Sequence, residues 1–107
     1  MTVYEFIAKD FPSFKSFVAR DPHWYKDEFN YGMANRALDF AVELRHNNDE
    51  AELKRLFAHI EAGLEQSDLE NALCLDFVQR ISDIAAQYED EFVGLLGPRA
   101  LHCYELQ

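Results

Sequence analysis

Apolar positions along this chain recur every three or four residues, the period of helices that bury one face, and no stretch alternates convincingly as a strand would. Six helical segments are expected. The first covers about Thr2–Lys9, where Thr2 followed by Glu5 has the capping-box pattern and Tyr4, Phe6 and Ile7 are apolar. The second opens at Pro12, whose missing N–H costs nothing in a first helical turn, and carries Phe14, Phe17 and Val18 as far as Arg20. Asp21-Pro22 then punctuates the chain.

The longest pattern runs from about Trp24 to Arg45. Met33, Ala37, Phe40, Ala41 and Leu44 form one stripe, and Ala34, Leu38 and Val42 widen it, which predicts a central helix covered on more than one side. Asn47-Asn48-Asp49 breaks it, and Asp49 with Glu52 places acids in the first turn of the next helix, where the dipole favours them. That helix carries Leu53, Leu56, Phe57, Ile60 and Leu64 inward and ends near Gln66. Ser67 with Glu70 is a second capping box, opening a helix over Asp68–Ile84 with Leu69, Leu73, Phe77, Ile81 and Ile84 inward and Leu75 and Val78 broadening the stripe. Gln87–Leu96 is shorter, Gly97-Pro98 closes it, and a last turn or two follows through Leu101 and Tyr104. Short connections predict antiparallel helical hairpins, so the expected fold is all-α: a single compact domain over residues 1–107 of about five to six packed helices.

Composition agrees with a real core. The 107 residues are 49% hydrophobic, with nine Phe, five Tyr and one Trp, and only four Gly and three Pro. No window approaches the roughly 20 apolar residues of a membrane span. The N-terminus lacks a basic segment followed by an apolar run, so no signal peptide and a cytoplasmic location are expected. In that setting Cys74 and Cys103, which have no short-range partner, are expected as free thiols in preference to a disulfide.

Charge changes the picture most. The net charge is −10. Residues 1–55 carry ten acids and eight bases, whereas residues 56–107 carry ten acids against only Arg80 and Arg99. Such a field repels nucleic acid and anionic lipid and attracts basic proteins.

Chemistry finds little footing. His23, His46, His59 and His102 have no ligand partner at helical spacing, there is no C-x-x-C, and Glu61 is two residues from His59 on the wrong face, so no metal is expected. Cys74 reads as a small buried hydrophobe, and adjacent helical residues such as His102 and Cys103 do not face each other. Ser13, Ser16, Ser67 and Ser82 have no nucleophile elbow, and no glycine-rich loop could cradle a phosphate. Neither a catalytic residue nor a cofactor is expected. Asp76, Gln79 and Asp83 are expected on one polar helical face, and Glu89-Asp90-Glu91 is the densest acidic run. Trp24 and Tyr25 are read as a cap on the core or as interface anchors, with Tyr31 and Tyr88 as weaker anchors.

The sequence order Phe11-Pro12-x-Phe14, a long central helix, an amphipathic helix, Asn71 with Phe77 six residues on, and Leu95-Leu96-Gly97-Pro98 resembles a group of small all-helical bacterial proteins of unknown function. Some of these sit beside polymorphic toxins and resemble immunity proteins. The shared motifs are helix starts and stops and carry no catalytic residues. The resemblance implies an acidic, non-enzymatic immunity protein that occludes a basic toxin domain such as a nuclease. The alternative is a helical adaptor or regulatory module whose partner is not a toxin. Expected contact residues are Asp68, Asp76, Asp83, Tyr88, Glu89, Asp90 and Glu91.

Overall fold

The computed structural model describes residues 1–21 and 30–107. The helices are α1 (Val3–Ala8), α2 (Pro12–Ala19), α3 (Asn30–His46), α4 (Glu50–Gly63), α5 (Glu70–Asp76), α6 (Ile81–Ile84), α7 (Glu89–Val93) and α8 (Pro98–Glu105), with 3₁₀ turns at Val78–Arg80 and Ala86–Tyr88. Among the described residues there is no strand. The protein is all-α, and its Cα radius of gyration of 12.4 Å fits the about 13 Å of one compact domain of this length. No helix among the described residues is long and apolar enough to cross a membrane. Trp24 and Tyr25, His23 and the expected first turns of the long helix lie outside the described residues.

Three helix starts follow from local chemistry. Thr2 accepts from the Glu5 N–H at 3.1 Å while the Glu5 carboxylate accepts from the Thr2 N–H at 3.1 Å, a complete capping box. Pro12 is the first residue of α2. Asp49 accepts from the Glu52 N–H at 3.3 Å to open α4. The wide stripe of α3 is realised: Met33, Ala34, Ala37, Leu38, Phe40, Ala41 and Leu44 are all buried. This helix is the centre of the bundle, packing against α1, α2, α4, α5 and α6. Phe14 and Phe17 from α2 meet Phe40 with tilted rings, and Phe57 of α4 meets both Phe77 and Phe92 edge-on.

The stretch 68–84 departs from the single expected helix. Ser67 forms no capping box. The chain instead makes a turn in which the Leu69 and Glu70 N–H groups both donate to the Gln66 carbonyl, and Leu69 takes the N-cap position without a side-chain bond. α5 then stops at Asp76, and the Arg80 N–H donates to the Phe77 carbonyl in the tighter i→i+3 pattern. The break turns Gln79 toward α8, where its amide donates to the Cys103 carbonyl at 2.9 Å. Asp76, Gln79 and Asp83 therefore do not share one continuous helical face. Leu75, expected to broaden the buried stripe, is exposed instead, whereas Val78 is fully buried.

The cysteines are the second correction. Cys74 on α5 and Cys103 on α8 form a disulfide, with their Cα atoms 5.5 Å apart, and neither is a free thiol. Sequence separation hid this pair, because α8 folds back onto α5 and the 3₁₀ turn.

Candidate functional site

Two surfaces of the C-terminal half carry the features that a binding site needs. The first is an acidic corner. Tyr88, Glu89, Asp90 and Glu91 close the second 3₁₀ turn and open α7, and with Ala86 and Gln87 they line a hollow of about 370 Å³. Acids suit that first turn because the helix dipole is positive there. Several of these groups are already engaged within the chain. Glu91 accepts from Arg45 on α3, and its hydrogen bond and charge hold the Arg45 guanidinium above its ordinary value. Glu89 accepts from the Tyr104 hydroxyl, and this bond, with burial and the charges of Glu89 and Asp90, raises the phenol above its ordinary value. The Tyr88 hydroxyl lies 3.1 Å from His46 Nδ1, and its ring stacks on Phe92 under the Arg45 guanidinium. Tyr88 is thus a half-buried platform, and Asp90 and Glu91 are exposed, Glu91 paired with Arg45 and Asp90 without a cation within ion-pair distance among the described residues.

The other three expected contacts lie elsewhere. Asp68 is held by the Met1 ammonium at 3.0 Å, which lowers its pKa below the usual carboxylate value and raises that of the amine. Asp83 faces Arg80 at 3.8 Å, and Asp76 ends α5. None of the three lines the acidic hollow or the groove described next.

The second surface is an apolar groove of about 580 Å³ between α5 and α8. Cys74 and Leu75 lie on one wall and Pro98, Cys103 and Leu106 on the other, with Leu64 between them; Glu70, Asn71, Gln79, Arg99 and His102 supply the polar groups. Leu75 is 45% exposed and Leu106 63% exposed, so the apolar surface continues past the hollow into solvent. The groove's walls are fixed in two ways. The disulfide ties α5 to α8. Glu61 of α4 accepts from the Arg99 and Ala100 N–H groups at 2.9 Å each, capping α8 from another helix. Gly97 makes that approach possible, since a Cβ there would lie 2.6 Å from the Glu61 carboxylate.

Sequence reasoning missed this groove. Its signal was modest: Leu106 belongs to no inward stripe, and Leu75 was expected to broaden one and is exposed instead.

His59 and His46 take structural places. His59 stacks on Phe6 at 4.0 Å, bonds the Phe6 carbonyl at 2.6 Å and has Asp10 at 3.6 Å. His46 meets Tyr88 and Gln87. Among the described residues no group of three or more His, Cys, Asp or Glu side chains is placed to hold a metal ion.

Charge pairing leaves a clear surplus. Of the ten acids in residues 56–107, Glu65 pairs with Arg99, Asp68 with the N-terminus, Asp83 with Arg80 and Glu91 with Arg45. Glu61, Glu70, Asp76, Glu89, Asp90 and Glu105 have no cation within ion-pair distance among the described residues, while both bases of this half are already paired.

Residues 4–107 match the model of a domain of unknown function, DUF7674, and the chain belongs to that family. No curated protein sequence and no solved structure matches it.

Proposed function

We propose that this DUF7674 member is a non-enzymatic binding protein, an immunity-type inhibitor that neutralises a basic bacterial toxin domain by covering its active site. The observation that supports this reading most is the charge surplus: six carboxylates of the C-terminal half lack a cationic partner among the described residues, and the half's own two bases are already paired. A potential of that sign on a rigid helical body steers a cationic partner toward it and raises the association rate. A toxin domain that binds nucleic acid through a cationic cleft is such a partner, and Asp90, Glu89 and Glu91 would stand where its substrate's phosphates do.

The test is co-purification from the native host, identification of the retained protein by mass spectrometry, and titration of the purified pair. A basic partner whose toxicity is relieved by this chain, and whose binding weakens in Glu89→Lys and Asp90→Lys, supports the reading. A basic partner with no toxic activity points to the adaptor alternative, and an acidic or absent partner refutes both.

A further inference from the structure

We propose that the groove between α5 and α8 is a docking site for an amphipathic helix of the partner, with an aliphatic stripe flanked by lysines or arginines. The proposal rests on the reading that the partner is basic, and it adds where contact is made and by what element. Three observations carry it.

The first is shape. The groove runs beside α8, whose eight residues give about 12 Å of wall at 1.5 Å per residue. That suits about two turns of a partner helix, whose inward residues recur at i, i+3, i+4 and i+7.

The second is chemistry. A helix lying across the groove covers both Leu75 and Leu106, which line it from opposite walls and are exposed in the free protein. Burying them is favourable by the ordinary hydrophobic term.

The third is charge. Arg99, the groove's own cation, is 3.4 Å from Glu65. Glu70 on the α5 wall and Glu105 beside Leu106 have no cation within ion-pair distance among the described residues. A helix with basic flanks satisfies both; one with acidic flanks meets repulsion. The walls are also pre-set, since the Cys74–Cys103 disulfide and the Glu61 cap both hold α8 in place, so little ordering is needed on binding.

The experiment uses the whole protein and three synthetic peptides of equal length. One has a leucine stripe at helical spacing with lysine flanks. The second has the same composition scrambled so that no stripe forms, and the third replaces the lysines by glutamates. Binding is followed by anisotropy of a labelled peptide and by amide shifts in the protein. The expected result is that the striped lysine peptide binds at least tenfold more tightly than either control. Its shifts should centre on Leu75, His102 and Leu106. Leu75→Asp and Leu106→Asp, both at exposed positions, should each weaken it by about tenfold while circular dichroism stays unchanged, and Glu70→Lys should weaken it less.

Equal binding of the scrambled peptide, or shifts centred on residues 86–91, would overturn the proposal by showing attraction without a groove. Equal binding of the glutamate peptide would overturn the basic occupant. A concentration-dependent dimer that Leu106→Asp dissolves would assign the groove to a second copy. The two readings fail separately: a native partner that still binds Leu75→Asp and Leu106→Asp but not Asp90→Lys removes the groove and leaves the proposed function standing.

Discussion

Breaking the Cys74–Cys103 bond should cost this domain several kcal/mol. The cross-link joins residues 29 apart in sequence, and the chain-entropy relation for a loop of that length gives about 12 cal/mol/K, or about 3.6 kcal/mol at room temperature. The domain's total stability is of the order of 5–15 kcal/mol, so the bond supplies a large part of it. For a domain near this size each kcal/mol moves Tm by roughly 4 °C, and the expected loss is therefore roughly 10–15 °C. The cleanest comparison is between the oxidised protein, the same protein reduced, and the Cys74→Ala/Cys103→Ala double variant. Alanine is preferred to serine because Cys103 is buried and a hydroxyl there would add a separate cost. Urea unfolding reports the midpoint. It should also show a larger m-value without the bond, because the denatured chain then exposes more surface. Equal midpoints for oxidised and reduced protein would refute the loop-entropy argument. Titration of both cysteines as thiols in the unfolded, unreduced chain would refute the pairing itself and restore the free thiols that the sequence suggested.

Three further outcomes follow from the packing. Gly63→Ala places a Cβ at 2.6 Å from Phe6 and 2.7 Å from Leu73, and overpacking of that kind costs about 1–3 kcal/mol; an unchanged denaturation midpoint would mean that the α1–α4 contact yields freely. Glu61→Ala strips two N–H partners from the start of α8 and should cost about 1–2 kcal/mol, with faster hydrogen exchange at the Arg99 and Ala100 amides as its local signature; unchanged exchange there would argue against the cap. The Met1–Asp68 pair has a defined pH window. Asp68 is lowered below 3.8, so its contribution is present above that value and lost as pH falls through the folded pKa, while the Met1 amine is raised above 8.0, so its contribution is present below 8.0 and lost as pH rises through the folded value. Asp68→Asn should therefore lower stability at neutral pH and make no difference in strong alkali, and a difference that persists after the amine is neutral would count against the pair.

Much of this fold was legible because its signals are local. Thr2 with Glu5, Pro12, and Asp49 with Glu52 each act within four residues, and each begins a helix as expected. The stripe of α3 was legible because a helix covered by five neighbours must be apolar around much of its circumference. Ser67 shows where that logic ends. It has the same spacing to Glu70 as Thr2 has to Glu5, yet the Gln66 carbonyl takes the Leu69 and Glu70 amides first. The break at Phe77 was equally hidden, since it accompanies a bond from Gln79 to α8, twenty-four residues away. Glu61 as the cap of α8, and Cys74 as the partner of Cys103, depend on how α8 docks and not on any spacing in the chain. The acidic run at residues 89–91 was visible as composition, but not that Glu89 and Glu91 are partly satisfied by Tyr104 and Arg45. That leaves Asp90 as the carboxylate there most available to a partner.

The central claim is that the unpaired negative charge of the C-terminal half exists to meet a positively charged macromolecule. Stopped-flow association between this protein and the partner recovered from its host, measured across a range of salt, tests it most directly. The expected rate is fast at low salt and falls steeply as salt screens the field, with Asp90→Lys slowing association more than it speeds dissociation. An association rate indifferent to salt, and to Asp90→Lys, would contradict the account.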